Sequence, residues 1–242
     1  MRHPVRTAVV VLAAAALAGP GLAASEDLTV VSTVTLGKGA PLTSTQYISS
    51  GRIRTSNGES DTIFDAGSGR IVVINHKKKE YFEFTRDEMA AAMQGFEAQM
   101  QSAGPLMEKM MGGPLGEVTV KKTGASRKVA GYDCDEYTVT LGESLRYDVC
   151  AARNLQPPPH YFDALKSPYA VMGPVARRFE KTFDEMKKIK GFPIAMTSSI
   201  KVMMVRNDMK MEATEVRKGP IAASSFDIPA GYKKKPSPFK QK

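Results

Sequence analysis

Cys134 and Cys150 are the two cysteines of the 242-residue chain, and their spacing limits the chemistry that they can perform. Redox cycling favours a Cys-x-x-Cys motif, which the sequence lacks, and two thiols without a histidine cluster make a poor zinc site. In an oxidising compartment, two cysteines on neighbouring strands usually form a structural disulfide. We therefore predict a Cys134–Cys150 disulfide, which stabilises the fold by roughly 3 kcal/mol through closure of a loop of this size.

The other residues that could act in catalysis give weak signals. His76 lies in a lysine-rich turn and His160 follows three prolines, while Ser198-x-x-Lys201 falls inside a predicted strand rather than at a helix start. The sequence contains no nucleophile-elbow, zinc-protease or P-loop motif. We expect a protein that is not an enzyme and carries no cofactor, with an unrecognised hydrolase as the catalytic alternative.

The first residues of the chain indicate the compartment. Arg2 and Arg6 precede an apolar run over residues 8–18, and small residues follow at positions 21 and 23. This is the layout of a secretory signal peptide, and the run is shorter than the roughly 20 apolar residues that span a bilayer. We expect a signal peptide over 1–23, cleavage near Ala23 or Ala24, and export to an oxidising space such as a bacterial periplasm.

The segment from residue 131 to 150 is predicted to form one hairpin around a turn at 141–143. This register places Cys134 directly opposite Cys150, and Glu136 opposite Asp148 as a like-charge pair. The disulfide then lies on the polar face of the hairpin. The other face carries the apolar residues that we expect in the core, namely Tyr137, Val139, Leu145, Tyr147 and Val149.

Alternating and β-branched residues predict an antiparallel meander, with turns at Asn57-Gly58 and at 206–208. The strands are expected over residues 27–36, 46–55, 62–65, 71–75, 80–84, 117–122, 126–129, 194–205 and 209–216.

Two amphipathic helices interrupt these strands. Thr85-x-x-Glu88 is a capping-box motif that begins the first helix, and the second starts near Ser167 with a break at Gly173-Pro174. Their apolar stripes are candidates for the wall of an apolar ligand hollow. The candidate residues are Met89, Met93, Phe96 and Met100 in the first helix, and Val175, Phe179, Phe183 and Met186 in the second.

Methionine is the one compositional excess, with 14 residues and no tryptophan. Flexible methionines fill irregular cores, adapt to ligands of variable shape and bind Cu(I) through their thioether sulfurs. The helical stripes lack the Met-x-Met clusters and histidine partners that a copper site favours. Core filling, an apolar ligand surface and copper binding all remain open from the sequence.

Much of the formal charge of +9 lies at the C-terminus. Residues 233–242 contain five lysines and too little apolar surface to fold alone, so we expect a basic disordered tail there. Lys233, Lys234 and Lys235 are candidates for contact with an anionic membrane surface. We do not expect nucleic acid as a partner, because no interleaving of basic and aromatic residues occurs elsewhere.

Three sets of residues carry a resemblance to a known fold family. The stretch GRIRTSNGESDTIFDAGSGRIVVINHKKKEYFEF resembles the repeated hairpins of exported half-barrel proteins typified by the lipoprotein carrier LolA. KVAGYDCDEYTV with YDVCAARNL, and the closing FDIPAGYKK, are similar to an exported bacterial domain family of unknown function placed near them. The resemblance implies an unclosed antiparallel barrel whose apolar hollow takes acyl chains, and it makes Arg54 a candidate for the carriers' key arginine.

Together these observations predict an α+β fold in a single domain over 24–232. It consists of a strongly curved antiparallel sheet, an unclosed barrel, with two amphipathic helices covering its concave face. The expected function is that of a periplasmic binding or carrier module for a lipid, an acylated protein or another apolar ligand. The alternative is an envelope domain for protein–protein interaction or stress sensing, without a small ligand.

Overall fold

The computed structural model describes residues 27–92, 117–166, 173–202 and 205–239, with the backbone alone for 173–179 and 202. These residues form a mostly β structure with few helices. The strands are β1 Leu28–Leu36, β2 Leu42–Ser49, β3 Arg52–Ser56, β4 Ser60–Asp65, β5 Arg70–Asn75, β6 Glu80–Thr85, β7 Val118–Val129, β8 Tyr132–Leu141, β9 Leu145–Ala152, β10 Phe192–Val202, β11 Val205–Lys218 and β12 Lys233–Lys234. The helices are α1 over 86–92, α2 Tyr161–Lys166 and α3 Gly173–Met186, with a 3-10 turn at Ala223–Phe226.

All twelve strands belong to one unclosed sheet in the order β12-β6-β5-β4-β3-β2-β1-β11-β10-β9-β8-β7. Neighbouring strands pair antiparallel, except that β12 pairs parallel to β6. Within the described residues, no helix has the length and apolar character needed to cross a membrane.

The helices show that the sheet is curved. α2 contacts β3, α3 contacts β7 and β8, and the two helices contact each other. In a flat sheet β3 and β8 would lie about 29 Å apart, since neighbouring strands are spaced by about 4.8 Å. Two packed helices, each about 10 Å wide, cover a shorter distance than this, so the sheet between β3 and β8 is curved. We call the side that faces α2 and α3 the inner face, and the opposite side the outer face.

Each face has its own hydrophobic cluster. Leu28, Ile53 and Phe84 belong to the large inner cluster, which also includes Phe183 and Met186 of α3. A smaller cluster on the outer face joins Ile63, Val72 and Ile74 to Phe226 of the C-terminal segment. The chain after β11 therefore covers the outer face of β4 and β5.

The capping box predicted at the start of the first helix is present. The Thr85 backbone N–H donates to Glu88 Oε2 at 2.9 Å, and the Glu88 N–H donates to Thr85 Oγ1 at 3.2 Å. Each side chain thus accepts a hydrogen bond from the backbone N–H of the other residue, at the N-terminus of the helix. The remainder of the predicted first helix lies outside the described residues.

The predicted strand over 46–55 is wrong, because a turn divides it into β2 and β3. Gly51 occupies a left-handed conformation with φ 77°, and Tyr47 consequently pairs with Arg54. The turn also reverses which residues share a face: Tyr47 contacts the outer cluster, whereas Ile53 is in the inner one. The turn predicted at 206–208 is also wrong, since β11 already begins at Val205 and pairs there with Val202.

Residues 233–239 of the C-terminal tail are ordered by contacts, unlike the disordered segment that the composition predicts. The Lys233 backbone N–H donates to the Lys79 carbonyl oxygen in the turn before β6 at 2.9 Å, and the Lys235 N–H donates to the Tyr81 carbonyl oxygen in β6 at 2.7 Å. Lys234 forms an ion pair with Glu83, and Lys235 pairs with Glu80. The ring of Phe239 lies 4.6 Å from that of Phe84. This segment could not fold alone, but contacts with residues far away in the sequence hold it in an ordered conformation.

Candidate ligand-binding hollow

A hollow of about 870 Å³ lies between the inner face of the sheet and helices α2 and α3. Its volume falls in the range of roughly 300–1,000 Å³ that is usual for ligand pockets in proteins. Strands β1–β4 and β9–β11 contribute to its floor, and the two helices contribute to its roof. The sheet and the helix pair are therefore both needed to form the hollow.

The roof is apolar. It consists of Tyr161 and Leu165 from α2 with Phe183 and Met186 from α3. Tyr161 is buried against Phe162 and Phe192, and burial raises the pKa of its hydroxyl far above the ordinary value. Tyr161 therefore remains uncharged and adds no ionic group to the roof.

One part of the floor is an apolar row that crosses four strands. Leu42 pairs with Val34, Val34 with Met211, and Met211 with Met196. Paired residues share one face of a sheet, so their side chains lie beside one another. This apolar row gives the hollow a continuous strip of branched and thioether side chains.

The other part of the floor is uncharged and polar. We name Ser32, Ser44, Gln46, Thr55 and Thr62 the polar patch. Ser32 pairs with Ser44, while Gln46 pairs with Thr55 and Thr55 with Thr62 across β2–β4. Gln46 Nε2 donates a long hydrogen bond of 3.5 Å to Thr55 Oγ1. The polar patch adjoins the apolar row at β1 and β2.

The charged groups that line the described part of the hollow form a single pair. Arg206 Nε donates to Asp208 Oδ1 at 2.9 Å on β11. The hydrogen bond from Arg206, assisted by one from Ser199, lowers the pKa of the Asp208 carboxyl. The Arg206 charge is thus already matched, and the hollow offers no cluster of free cations for an anionic ligand.

The predicted site residues are only partly brought together. Phe183 and Met186 line the hollow, whereas Met89 is buried in the inner cluster. Val175 and Phe179 lie on α3, but their side chains fall outside the described structure, as do residues 93, 96 and 100 entirely. The sequence interpretation missed the floor. The sequence did contain one signal for the floor, since Met209 and Met211 lie two positions apart and therefore share one face of a predicted strand.

Arg54 does not lie in the hollow. Its Nε donates to Asp61 Oδ2 at 3.0 Å on the outer face, and its Nη1 donates to the Ser225 carbonyl oxygen at 2.8 Å. His76 completes this outer network, with Nε2 2.9 Å from Asp61 Oδ2 and Nδ1 2.8 Å from the Tyr232 hydroxyl. Arg54 therefore faces away from the hollow, and the network fastens the C-terminal segment to the sheet.

The Asp61 carboxylate is the buried centre of this network, with 1% of the residue exposed. Burial by itself raises its pKa, but hydrogen bonds from Ser56, His76 and Arg54, together with the Arg54 charge, outweigh burial and lower it. Asp61 is thus held as the charged partner of Arg54. Among the described residues, no group of three or more His, Cys, Asp or Glu side chains is arranged to hold a metal ion.

The Cys134–Cys150 disulfide is confirmed, with the two Cα atoms 5.3 Å apart. The predicted register of its hairpin is wrong by two residues, because the turn occupies 142–144 and Leu141 pairs with Leu145. The bond consequently joins diagonal neighbours, and Thr138 rather than Glu136 faces Asp148, to which it donates a hydrogen bond of 2.9 Å. A shift of two preserves the faces, so the predicted apolar face remains buried.

Comparison with solved structures gives weak similarities. The MucA/MucB complex of Pseudomonas aeruginosa includes a chain with 12% identity and a TM-score of 0.41, covering 85% of this chain and 56% of that one. A PNGF-II structure has 11% identity and a TM-score of 0.40, covering 87% and 31%. The LolA superfamily protein NE2245 from Nitrosomonas europaea has 7% identity and a TM-score of 0.30, covering 85% and 91%.

The protein spans about a third of the PNGF-II chain and little more than half of the MucB-complex chain. No curated protein matches its sequence. Residues 49–232, well over half of the chain, match the family described as domain of unknown function DUF4412. The sequence resemblance to a domain family of unknown function is thereby confirmed, and the chain belongs to the DUF4412 family.

Proposed function

We propose that this protein is an exported, non-enzymatic binding module that holds a lipid, the acyl part of a modified protein or another apolar ligand in its hollow. The observation that carries the proposal is the 870 Å³ hollow itself, roofed by Phe183 and Met186 and floored by the apolar row. Removing apolar surface from water makes the free energy of binding more favourable by roughly 25 cal/mol for each Å² buried. Methionines on two sides of the hollow can adjust to chains of different shape.

Export is supported by the disulfide. Cys134 and Cys150 are 0% and 2% exposed, and bonds of this kind persist mainly in oxidising compartments such as the periplasm. The proposed leader over 1–23 lies outside the described residues. Sequencing the N-terminus of the protein recovered from the periplasmic fraction should give a start near Ala24 or Ser25, and an intact Met1 there would contradict export by a cleaved leader.

Mass spectrometry of native protein purified without detergent tests the binding proposal. We expect co-purified lipid that is released on unfolding, and uptake of a neutral fluorescent probe such as N-phenyl-1-naphthylamine by the delipidated protein. Met196→Gln places a polar amide in the apolar row and should weaken probe binding at least fivefold. Thr197→Gln changes the neighbouring exposed residue, which points to the outer face, and should leave probe binding unchanged.

A protein that carries no lipid and takes up no apolar probe at high micromolar concentration would contradict this proposal. That result would favour the alternative function, an envelope interaction or stress-sensing domain whose hollow is filled by its own chain.

A further inference from the structure

The polar patch gives the hollow a second chemical character that an acyl chain alone would not use. Ser32 and Ser44 are 4% and 9% exposed and face the hollow from adjacent strands. Both hydroxyl groups open into the hollow rather than being enclosed by protein. A polar group of a bound molecule could therefore replace water as their hydrogen-bond partner.

The rest of the polar patch leads from this buried end to solvent. Gln46 and Thr55 are half-buried, and Thr62 on the next strand is exposed. The three residues pair in register across β2, β3 and β4, so their hydroxyl and amide groups form a single row perpendicular to the strands, which we call the track. A polar group that starts at Ser44 could extend along this track without leaving hydrogen-bonding contact.

The charge of the site also restricts the ligand. Lining residues of the described hollow include one cation, Arg206, and its guanidinium already bonds to Asp208. An anionic head group on the polar patch would lose its contacts with water and gain contacts only with uncharged polar groups. Burying an unpaired charge costs far more free energy than burying a neutral polar group. A cationic head group would face the same cost there.

We propose that the ligand is a neutral amphiphile, whose apolar chain lies along the apolar row and whose uncharged, hydroxyl- or amide-bearing head lies on the polar patch. This inference rests on the proposed function and narrows its ligand class to molecules such as acylglycerols and glycosylated lipids. Buried hydroxyls that pair with such a head discriminate strongly against ligands that cannot pair with them.

Displacement of N-phenyl-1-naphthylamine by chain-matched probes tests the inference. The chain contains no tryptophan, so the probe can be excited with little background from the protein. At pH 7 and below micellar concentrations, 1-monolauroylglycerol should displace the probe at a concentration at least tenfold lower than dodecanoate or dodecyltrimethylammonium. Equal displacement, or stronger displacement by either charged probe, would overturn the neutral-head inference.

A double variant assigns the selectivity to the polar patch. Thr55→Val with Thr62→Val removes two hydroxyls while preserving side-chain shape, and should reduce the advantage of 1-monolauroylglycerol to less than threefold. Thr45→Val on the outer face of β2 is the matched control and should retain the tenfold advantage. An unchanged advantage in the double variant would overturn the assignment.

The outcomes separate the two proposals. If the wild-type protein binds neither the fluorescent probe nor any of the three amphiphiles, the proposed binding function fails, and the neutral-head inference fails with it. If the probe binds but dodecanoate competes as well as 1-monolauroylglycerol, the binding function stands and the neutral-head inference alone is contradicted.

Discussion

At the scale of single residues, one covalent link and one ionic network join neighbouring strands of the sheet. The disulfide ties β8 to β9 at the end of the hairpin remote from its turn, and Asp61 ties β4 to Arg54 and His76. Both links have buried centres. Their loss should therefore have larger effects than the loss of the exposed ion pairs elsewhere on the sheet.

We expect Asp61→Asn to lower the free energy of unfolding at pH 7 by about 3–5 kcal/mol, because it leaves the Arg54 charge without its buried partner. Chemical denaturation gives this value directly. Glu59→Gln, in the exposed turn just before β4, is the control and should have little effect.

The same variant should change the acid sensitivity of the protein. The folded-state pKa of Asp61 lies below its unfolded value near 3.9, so the stability it contributes is complete above that value and is lost as the pH falls through the folded-state pKa. Unfolding curves between pH 5 and pH 2 should show a steeper loss for the wild type than for Asp61→Asn. Equal slopes would show that Asp61 is not held charged by its neighbours.

Replacing both cysteines, Cys134→Ala with Cys150→Ala, should reduce the free energy of unfolding by about 3 kcal/mol, since the unfolded chain regains the freedom of the closed loop. Urea denaturation measures the change. Titration of the unfolded, unreduced wild-type protein should detect no free thiol, and two free thiols would refute the bond.

At the scale of elements, α3 both packs into the inner cluster and lines the hollow, whereas Phe192 at the start of β10 packs into the cluster alone. Phe183 is buried and also lines the hollow, whereas Phe192 on β10 is 1% exposed and enclosed by the core. Side chains around an existing space lose fewer contacts on truncation than side chains that are packed on every side. The two phenylalanines should therefore respond differently to the same substitution.

We expect Phe192→Ala to cost about 3–5 kcal/mol and Phe183→Ala to cost about 1–3 kcal/mol, with a change in uptake of the fluorescent probe only for the second variant. Denaturation and probe titration on both variants provide the comparison. Equal losses of stability with unchanged probe uptake would place Phe183 in a filled core instead.

Local patterns predicted the elements better than their connections. The capping box at Thr85 and the alternation of β8 and β9 depend on near neighbours, and both are found in the structure. The turn at Gly51 was missed because Asn57-Gly58 is a stronger turn signal nearby. The hairpin register was misjudged because the turn was placed at 141–143 instead of 142–144, which put the cysteines directly opposite each other, whereas the disulfide joins diagonal neighbours.

The hollow was harder to predict than the elements that form it. Its roof residues Phe183 and Met186 follow from helical spacing alone. Its floor depends on which strands become neighbours, since β1 meets β11 across almost two hundred residues of chain. No local pattern specifies that pairing, so the contribution of Met196 and of the polar patch became visible only with the sheet order.

At the scale of the whole molecule, the two ends of the sheet are unlike. One end is β7, whose residues are largely exposed, and the other is closed by the two-residue strand β12. The tail that supplies β12 continues to Phe239, which packs on Phe84. The apolar contact rather than the lysine pairs should hold this tail, because half-exposed ion pairs contribute about 0–1 kcal/mol.

Phe239→Ala should therefore lower the free energy of unfolding by about 1–2 kcal/mol, since the ring is partly buried, and Lys234→Ala should lower it by less. Denaturation of both variants in low and high salt checks this order, because salt weakens only the ionic contribution. A larger effect of Lys234→Ala, removed by salt, would show that charge holds the tail.

The closed end has a consequence for how copies of this protein can meet. Growth of a cross-β fibre by edge-to-edge pairing requires that every added subunit offer two free edges, one for each neighbour. Beyond β6 the described chain presents a very short strand, bearing lysines and followed by Pro236, which is a poor template for pairing. If two copies pair through β7, the long edge strand of each copy is occupied. No long edge is then left for a third copy, so the association stops at a two-fold symmetric dimer.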